Sequence, residues 1–437
     1  MTDDDTLHRI LDADATLFVG ETAEHALGWL GHPERYLGAW LDNVNELLPR
    51  RHERTLLLAM GGSASPARLF AENRLDAPLS VIDTSNPDTV ATTDFTNVNV
   101  IAASKSGATI ETQVLLAHAL ANGLAVEDLV VVTDPGTSLE ELAYSLGSLV
   151  FVADPSTGGR FSGLSPFGLI PALCSGWTTD ELRSELQSCH LNEALVARAF
   201  DHANSFAHGV NDGSAFFALG ANPMLSGGAL WLEQLIAETT GKDYKGFVPV
   251  MKGPIQSYRP RDIMYWQLVA VLLARHLGVD PFSQPDVERA KQGVFALLER
   301  EVTWEPMTLD PNAIHTALER STYNTLQAYA PLDSAPELSD LLIRVEGAYG
   351  TASANFGPRY LHSTGQLHKG GPRGVVAVQI VVRPTSEPVR IMGRRYSFHD
   401  LHMAQARSDF DALTTVGRQV FQIVVDDFAD AAQILKV

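Results

Sequence analysis

Cysteine is scarce in this 437-residue chain, which contains only Cys174 and Cys189. Two cysteines are too few for a disulfide framework or a four-cysteine metal site, and such sparing use is typical of the reducing cytosol. No apolar run is long enough to span a bilayer. The acidic start, MTDDDTLHRI, lacks the basic and apolar regions of a secretory signal. We therefore expect a cytoplasmic protein that makes no contact with a membrane.

Positive charge is also in short supply. There are 32 Lys and Arg against 52 Asp and Glu, so the formal net charge is −20, and only seven of the basic residues are lysines. This balance argues against nucleic acid or an anionic membrane as partner. An anionic small molecule would need a locally positive site within a repelling field. A lysine inside a glycine- or hydroxyl-rich loop therefore indicates a candidate site for an anion.

The length of the chain predicts two packed units with an extension rather than one core. Short apolar segments at 54–60, 97–104, 128–134 and 147–155 alternate with helical patterns, which favours a doubly wound parallel sheet. The pattern restarts at 214–242, and a Gly/His-rich loop and two further strand-like stretches lie near the end of the chain. We predict a helical segment at 1–50, α/β domains at 51–200 and 201–300, and a C-terminal extension at 301–437.

The stretch SKSGAT follows the second predicted strand and precedes a helix. Ser104, Ser106 and Thr109 supply hydroxyl groups, Lys105 supplies a positive charge, and Gly107 allows close approach of a ligand to the backbone. With the N–H groups of the helix start, these residues would form a phosphate-binding loop. The alternative is ordinary N-capping, for which one hydroxyl would suffice. The Walker spacing of a nucleotide-binding loop is absent.

Other candidate residues allow two interpretations each. Arg160, between a glycine pair and a buried helix, either pairs with a carboxylate or faces an anionic ligand. Glu238, at the end of a strongly apolar helix, is either a partly exposed helix-end residue or a buried general base. His362 and His368 lie six residues apart with no third metal ligand apparent, so we favour an acid/base role over metal binding.

Five blocks in chain order resemble the signature blocks of the phosphoglucose isomerase family. They are GGS, SKSGATIET, GGRFSGLSPFGLIP, AETTGK and FSQPDVERAK, within residues 61–291. The segments LEQLIAE and LHSTGQLHKGGP are most similar to the isomerase half of bacterial transaldolase–isomerase fusion proteins. The resemblance implies an α/β fold with two sugar-isomerase (SIS) domains, each a doubly wound five-stranded parallel sheet, followed by an α+β C-terminal extension.

The resemblance also implies roles for the matching residues. Sugar-phosphate contacts are implied for Gly62, Ser63, Ser104, Lys105, Ser106, Thr109 and Gln284. Arg160 would stabilise an enediolate intermediate and Glu238 would move the proton between C1 and C2. Lys291 would assist opening of the sugar ring. Because proton transfer of this kind needs no metal or redox cofactor, we expect neither.

The chain departs from the family pattern at the ring-opening histidine. The family carries this residue between its glutamate and glutamine blocks, but only 46 residues separate Glu238 from Gln284 here and none of them match. The nearest match, LHSTGQLHKGG, comes after Lys291. We assign the role to His362, with His368 as the alternative. In the family this histidine comes from the neighbouring subunit, so a homodimer is implied.

The function implied is that of a glucose-6-phosphate isomerase, which interconverts glucose 6-phosphate and fructose 6-phosphate through an enediolate. The Gly-Ala pair in SKSGAT departs from the more familiar enzymes, so another phosphosugar, such as mannose 6-phosphate, is an alternative substrate. A non-catalytic SIS protein that senses a sugar phosphate is a second alternative. It is less favoured, because a sensor needs no Glu238, Arg160 or Lys291. A subunit that works beside a separate transaldolase is a third.

Overall fold

The computed structural model of the chain describes residues 3–48, 51–254, 258–299 and 311–437, with the side chains of residues 3–4, 288–292 and 311 left aside. The strands are β1 Thr55–Ala59, β2 Leu79–Ile82, β3 Asn99–Ser104, β4 Leu129–Thr133, β5 Leu149–Val152, β6 Ser214–Ala218, β7 Gly246–Val250, β8 Tyr323–Tyr329, β9 Ala352–Phe356, β10 Val375–Val382 and β11 Gln419–Val425. The helices are α1 Asp3–Leu11, α2 His32–Tyr36, α3 Ala39–Leu47, α4 Ser65–Glu72, α5 Pro87–Thr92, α6 Ile110–Ala121, α7 Ser138–Leu146, α8 Pro166–Cys174, α9 Thr179–Leu186, α10 Glu193–Ala207, α11 Gly227–Thr240, α12 Ile263–Leu277, α13 Val287–Leu298, α14 Pro311–Arg320, α15 Ala335–Tyr349, α16 Gly365–Gly370, α17 Phe398–Thr415 and α18 Phe428–Leu435.

The first sheet has five parallel strands in the order β2-β1-β3-β4-β5. Strands β1, β3 and β4 are buried at every position, which explains why they appear in the sequence as continuous apolar runs. The predictions of β1, β3, β4 and β5 are confirmed. Strand β2 was missed because it is short and lies at the sheet edge, where it buries only its two end residues.

The second half of the chain also forms parallel sheets. Strands β6 and β7 pair with each other, and four strands follow the order β11-β10-β8-β9. The predicted α/β fold class is confirmed. It differs from the expectation in that the segment 201–300 contributes only two strands, while the supposed α+β extension builds a parallel sheet of its own. Strands β8 and β9 were missed because buried polar residues, such as Gln327 and Asn355, interrupt their apolar patterns.

The two halves of this second region share one core. Strand β7 lies beside β9, and Val248 packs in one buried cluster with Ala237, Tyr323 and Leu367. A two-stranded sheet buries too little apolar surface to be stable alone, so β6 and β7 depend on the C-terminal strands. The predicted domain limits stay predictions, and the one between residues 300 and 301 lies outside the described residues.

Helix α11 is buried along almost its whole length, from Gly228 to Thr240. It packs against α4, α12 and β7, and this position carries the polar residues at its C-terminal end into the interior. No helix within the described ranges combines the length and the apolarity that crossing a membrane requires.

A buried ion pair fixes the segment that follows β9. Lys369 of α16 pairs with Asp409 of α17, and the two side chains are 1% and 0% exposed. The Tyr360 hydroxyl donates a second hydrogen bond to Asp409, at 2.7 Å. These contacts hold the turn Arg359–His362 against α17.

Replacing Lys369 with Met should therefore lower the free energy of unfolding by about 3–5 kcal/mol, because the Asp409 carboxylate would stay buried without its cation. Urea denaturation measures this loss. The matched control is Arg407→Met on α17, whose pair with Asp411 is half-exposed and whose loss should cost at most about 1 kcal/mol. Equal losses in the two variants would contradict the assigned importance of the buried pair.

Candidate active site

A cleft of about 380 Å³ lies at the carboxyl ends of the first sheet's strands, where ligands bind in open α/β sheets. Nine of the eleven residues proposed from the sequence line it: Gly62, Ser63, Lys105, Ser106, Thr109, Arg160, Glu238, Gln284 and His362. Of the other two, Ser104 is 2% exposed and lies beneath the loop. Lys291 is on α13, but its side chain lies outside the described residues. Segments far apart in the chain thus meet in one place.

The SKSGAT loop forms one wall of the cleft. The Ser104 hydroxyl bonds that of Thr109 at 2.9 Å, and the Ser106 hydroxyl accepts the Ala108 N–H. Thr109 stands at the N-cap of α6 but makes no capping hydrogen bond. The first N–H groups of α6 therefore lack the side-chain acceptor that ordinary capping would supply, and the arrangement favours an anion-binding loop.

Lys105 has a carboxylate partner at the cleft. Its ammonium group pairs with Asp134, which follows β4, and burial raises the pKa of Asp134 while Lys105 opposes that rise. A bound phosphate would therefore have to share the Lys105 ammonium with Asp134. This pair moderates the positive charge of the loop when the cleft is empty.

Two glycine turns meet at the floor of the cleft. A Cβ atom at Gly62 would lie 2.2 Å from the carbonyl carbon and oxygen of Gly159, a clash with backbone that cannot give way. The Ser162 hydroxyl donates to both turns, to the carbonyl of Gly62 at 2.9 Å and that of Gly159 at 2.6 Å. Glycine is required at position 62 because a side chain there would prevent the close approach of the two turns. That approach brings Arg160 beside the GGS turn.

Glu238 and Arg160 form the charged centre of the cleft. Arg160 Nη1 lies 3.7 Å from Glu238 Oε2, and both side chains are buried. Burial raises the pKa of Glu238, while Arg160 and a 3.2 Å hydrogen bond from Gln234 oppose the rise. The result is a carboxyl group more basic than an exposed one, held next to a cation. Such a group is suited to proton transfer.

Arg160 also fixes the segment that leads to Gln284. Its guanidinium donates to the carbonyl oxygens of Pro281 at 2.7 Å and Ser283 at 3.2 Å. The next residue, Gln284, then lines the cleft. Of the two interpretations of Arg160, the structure shows the carboxylate pair. Because Arg160 also lines the cleft, contact with a ligand stays a prediction.

His362 enters the cleft from the same chain. Its Nε2 lies 3.0 Å from Glu111 Oε1, and Glu111 also accepts a hydrogen bond from Gln405 at 2.6 Å. His362 thus lines the cleft without a second chain. The implied homodimer stays a prediction.

His368, the alternative, lies away from the cleft. It is fully buried, with Thr325 Oγ1 at 3.3 Å and Gln327 Nε2 at 3.1 Å from its ring nitrogens. Burial lowers the pKa of His368 to about 3, so the ring is neutral at physiological pH. The geometry therefore favours His362 as the histidine of the site.

Two partner residues in the site were not recognised from the sequence. Glu111 lies inside the SKSGATIET block, in the first turn of α6, where an acidic residue is ordinarily explained by the helix dipole. Gln234 lies one turn before Glu238 on α11 and donates to the carboxylate and to the carbonyl of His362, at 3.0 Å. The i,i+4 spacing from Glu238 is the signal that could have identified Gln234.

In the part of the chain that the structure describes, no three His, Cys, Asp or Glu side chains come together as a metal site would require. The cleft instead combines hydroxyl groups, an ammonium group, a helix N-terminus and a buried carboxylate–guanidinium pair. Parallel strands with such a cleft at their carboxyl ends define an α/β protein built to hold a small anionic molecule beside a basic carboxyl group.

The chain is similar in sequence to proteins named glucose-6-phosphate isomerase. It is 34% identical to that of Rubrobacter xylanophilus over 201 residues, which are 42% of this chain and 44% of the relative. It is 28% identical to that of Mycoplasma mycoides over 253 residues, 51% of this chain and 58% of the relative. The chain thus spans about half the length of these curated relatives. No protein-family model matches the chain.

Two solved structures are also similar. A hypothetical protein from Thermus thermophilus is 20% identical, with a TM-score of 0.46, over 99% of this chain and 85% of that one. A glucose-6-phosphate isomerase from Chlamydia trachomatis is 16% identical, with a TM-score of 0.48, over 67% and 78%. Neither TM-score reaches 0.5, so the fold assignment depends on the sheets of this chain itself.

The buried state of His368 makes a prediction about pH. The unfolded chain binds a proton at His368 below about pH 6.5, whereas the folded protein does so only near pH 3. Stability is therefore lost as pH falls from 6.5. Between pH 6.5 and 5.5 this one residue should account for about 1 kcal/mol of the loss.

Denaturation of the wild type and of His368→Asn at both pH values measures this contribution. The variant should lose about 1 kcal/mol less over the interval than the wild type. Thr325→Val is the matched control, because it removes a hydrogen-bond partner of the same ring but no titrating group, so its loss should equal that of the wild type. The same loss in His368→Asn as in the wild type would contradict a neutral His368.

Proposed function

We propose that the protein is a glucose-6-phosphate isomerase, with the 6-phosphate of the sugar on the SKSGAT loop and the reacting carbons beside Glu238. The observation that carries the proposal is the meeting of Glu238, Arg160 and His362 with Lys105 in one cleft. The similarity to curated isomerases supports the choice of reaction and substrate. We also propose that the protein works in the cytoplasm and that neither metal nor cofactor takes part.

Phosphate binding would use the loop wall. Ser106 and Thr109 would donate hydroxyl hydrogen bonds to the phosphate, together with N–H groups at the start of α6, which the Thr109 side chain does not cap. Lys105 would supply the positive charge, and Gln284 would contact the phosphate from the opposite side. Ser104 would act through its hydrogen bond to Thr109 rather than by touching the ligand.

The chemical step would be a proton transfer by Glu238. Its carboxylate would take the proton from C2 of the open-chain aldose, and the electron pair would form a C1–C2 double bond as the C1 carbonyl oxygen becomes negative. Arg160 would stabilise that oxygen. Transfer of the C2 hydroxyl proton to the negative C1 oxygen, and return of the first proton from Glu238 to C1, would then give the ketose. The raised pKa of Glu238 makes it a better base for this transfer.

Ring opening would precede that step. His362, oriented by Glu111, would give a proton to the ring oxygen, and Lys291 is proposed to assist it. The non-catalytic alternative has no observation in its favour. A sensor would gain nothing from a buried carboxylate held between a guanidinium and an amide, because burial of a charge is costly unless chemistry needs it.

Replacing Glu238 with Gln should lower kcat for conversion of fructose 6-phosphate to glucose 6-phosphate by about 10²–10⁴-fold, since the general base is removed at nearly constant shape. A coupled assay without added metal measures the rate. Glu233→Gln is the matched control, because Glu233 lies on the same buried helix but outside the cleft lining, and its kcat should stay within a few-fold. Undiminished turnover in Glu238→Gln would refute the proposed base.

The position of His362 in the same chain makes a separate prediction. Neither Glu238→Gln nor His362→Asn should be active alone, and mixtures of the two after unfolding and refolding together should stay inactive. If His362 acted on a partner subunit, mixed dimers would contain one intact Glu238–His362 site and recover activity. Such recovery, measured by the same coupled assay, would contradict a site completed within one chain.

A further inference from the structure

A second cavity, also of about 380 Å³, lies behind the candidate active site. We call it the arginine cavity, because Arg68 of α4 and Arg359 line it together with residues of β2, the start of α11 and the start of α15. No acidic residue is among the described residues that line it. In a chain with a net charge of −20, a cavity lined by two arginines is well placed to attract an anion.

The two arginines share one buried carboxylate. Asp83 Oδ1 accepts from Nη2 of both Arg68, at 2.9 Å, and Arg359, at 2.8 Å, while Oδ2 accepts from Arg359 Nε at 2.8 Å. One negative charge thus faces two positive ones, so the cluster carries a net charge of +1. Both oxygens of Asp83 are already occupied.

Spare donors remain on both guanidinium groups. Among the described residues, Arg68 Nε is buried without a partner, and Arg68 donates only through Nη2, to Asp83 and to the carbonyl of Val81 at 3.3 Å. Arg359 donates to Asp83 only through Nε and Nη2, which leaves Nη1. Because Arg68 Nε is buried, the donors left for a ligand are Arg68 Nη1 and Arg359 Nη1, and a phosphate group has enough acceptor oxygens to take hydrogen bonds from both.

Neither neighbouring carboxyl group lines the cavity. Glu72 Oε2 accepts from the Gly228 N–H at 2.6 Å and from the Ser226 hydroxyl at 3.2 Å. Glu72 therefore caps the N-terminus of α11, so the Gly228 N–H is not available to a ligand. Burial raises the pKa of Glu233, the other acidic residue near Arg359, to about 8, so Glu233 is mostly uncharged at neutral pH.

Apart from Ser80 and Ser226, the side chains that complete the cavity wall are apolar. Met224, Leu225, Leu332 and Phe356 line it, and Leu225 is 64% exposed, although large apolar side chains are usually buried. Space of this size beside the guanidinium groups could hold a carbon skeleton as well as a charged group. These surfaces define the ligand as an anion with an apolar part.

Three segments run directly from the arginine cavity to the active-site cleft. Helix α11 borders the cavity at Leu230 and the cleft at Glu238, and the turn after β9 borders the cavity at Arg359 and the cleft at His362. On α4, Arg68 lines the cavity, and Ser65 donates a 2.5 Å hydrogen bond to Gln234, which in turn holds Glu238. The proposed base and the proposed histidine therefore each lie within a few turns of a cavity wall.

We propose that the arginine cavity is an effector site for a small phosphorylated molecule with an apolar part, and that occupancy changes turnover in the cleft. The binding half of this proposal is independent of the reaction, whereas the regulatory half rests on the proposed isomerase function. A ligand drawn between Arg68 and Arg359 would shift α11 and the His362 turn relative to one another. Differential binding to two such arrangements is what regulation requires.

Calorimetric titration with phenyl phosphate tests the binding half. The wild type should bind phenyl phosphate at two sites, and the Lys105→Gln variant should retain the cavity site. The Arg68→Met variant should retain the cleft site and bind phenyl phosphate in the cavity at least about tenfold more weakly than the wild type. Arg359 keeps Asp83 paired in that variant. Ala335→Phe, which fills the cavity without removing a charge, should abolish the same site. Arg74→Met, which removes an arginine just beyond α4 that pairs with Glu181, should behave as the wild type.

Three binding results would overturn the proposal. The first is that Lys105→Gln lacks the cavity site, and the second is that both Arg68→Met and Ala335→Phe bind phenyl phosphate in the cavity as the wild type does. The third is that the cavity binds benzoate as tightly as phenyl phosphate, which would contradict the phosphate class.

The regulatory half is tested by measuring kcat at saturating fructose 6-phosphate, where competition in the cleft disappears. Phenyl phosphate should change kcat at least twofold in the wild type and not in Arg68→Met, and an unchanged kcat would overturn it. If the wild type lacks isomerase activity, the proposed function fails but the calorimetric result stands.

Discussion

Helix α11 is buried from end to end and yet carries Glu233, Gln234 and Glu238. A buried polar group without a partner costs several kcal/mol, so each of these side chains must be satisfied by another part of the chain. Arg160 pairs with Glu238, and Gln234 donates a hydrogen bond to the same carboxylate. Ser65 donates to Gln234, and Asn355 donates to Glu233 at 3.1 Å. The first sheet, the C-terminal sheet and the loop before α13 are thereby brought to one helix.

The same constraint accounts for the electrostatics of the cleft. Burial raises the pKa of Glu238 and an adjacent guanidinium limits the rise, so basicity and charge are adjusted by two opposing effects. Arg160 is held in turn by backbone carbonyl groups that belong to the segment carrying Gln284. The proposed base, the proposed cation for developing negative charge and the proposed phosphate contact are therefore connected through one set of hydrogen bonds.

The turn Arg359–His362 connects three features of the molecule. Arg359 contributes to the Asp83 cluster, Tyr360 bonds to Asp409, and His362 reaches Glu111 in the cleft. The C-terminal part of the chain therefore places His362 in the cleft. The chain spans about half the length of the curated relatives it matches.

Much of this protein follows from local sequence. Strands β1, β3 and β4 were predictable because a strand inside a parallel sheet is apolar on both faces, and the edge strand β5 was predictable from its own apolar run. The SKSGAT, GGR and AETTGK blocks carry seven residues that line the cleft. Strands β8 and β9 were not predictable, because Gln327 and Asn355 find their partners only after folding. Neither were the Glu111–His362 pair and the arginine cavity. Each of these depends on contacts between residues more than 200 positions apart or on burial, and sequence spacing contains no information about either.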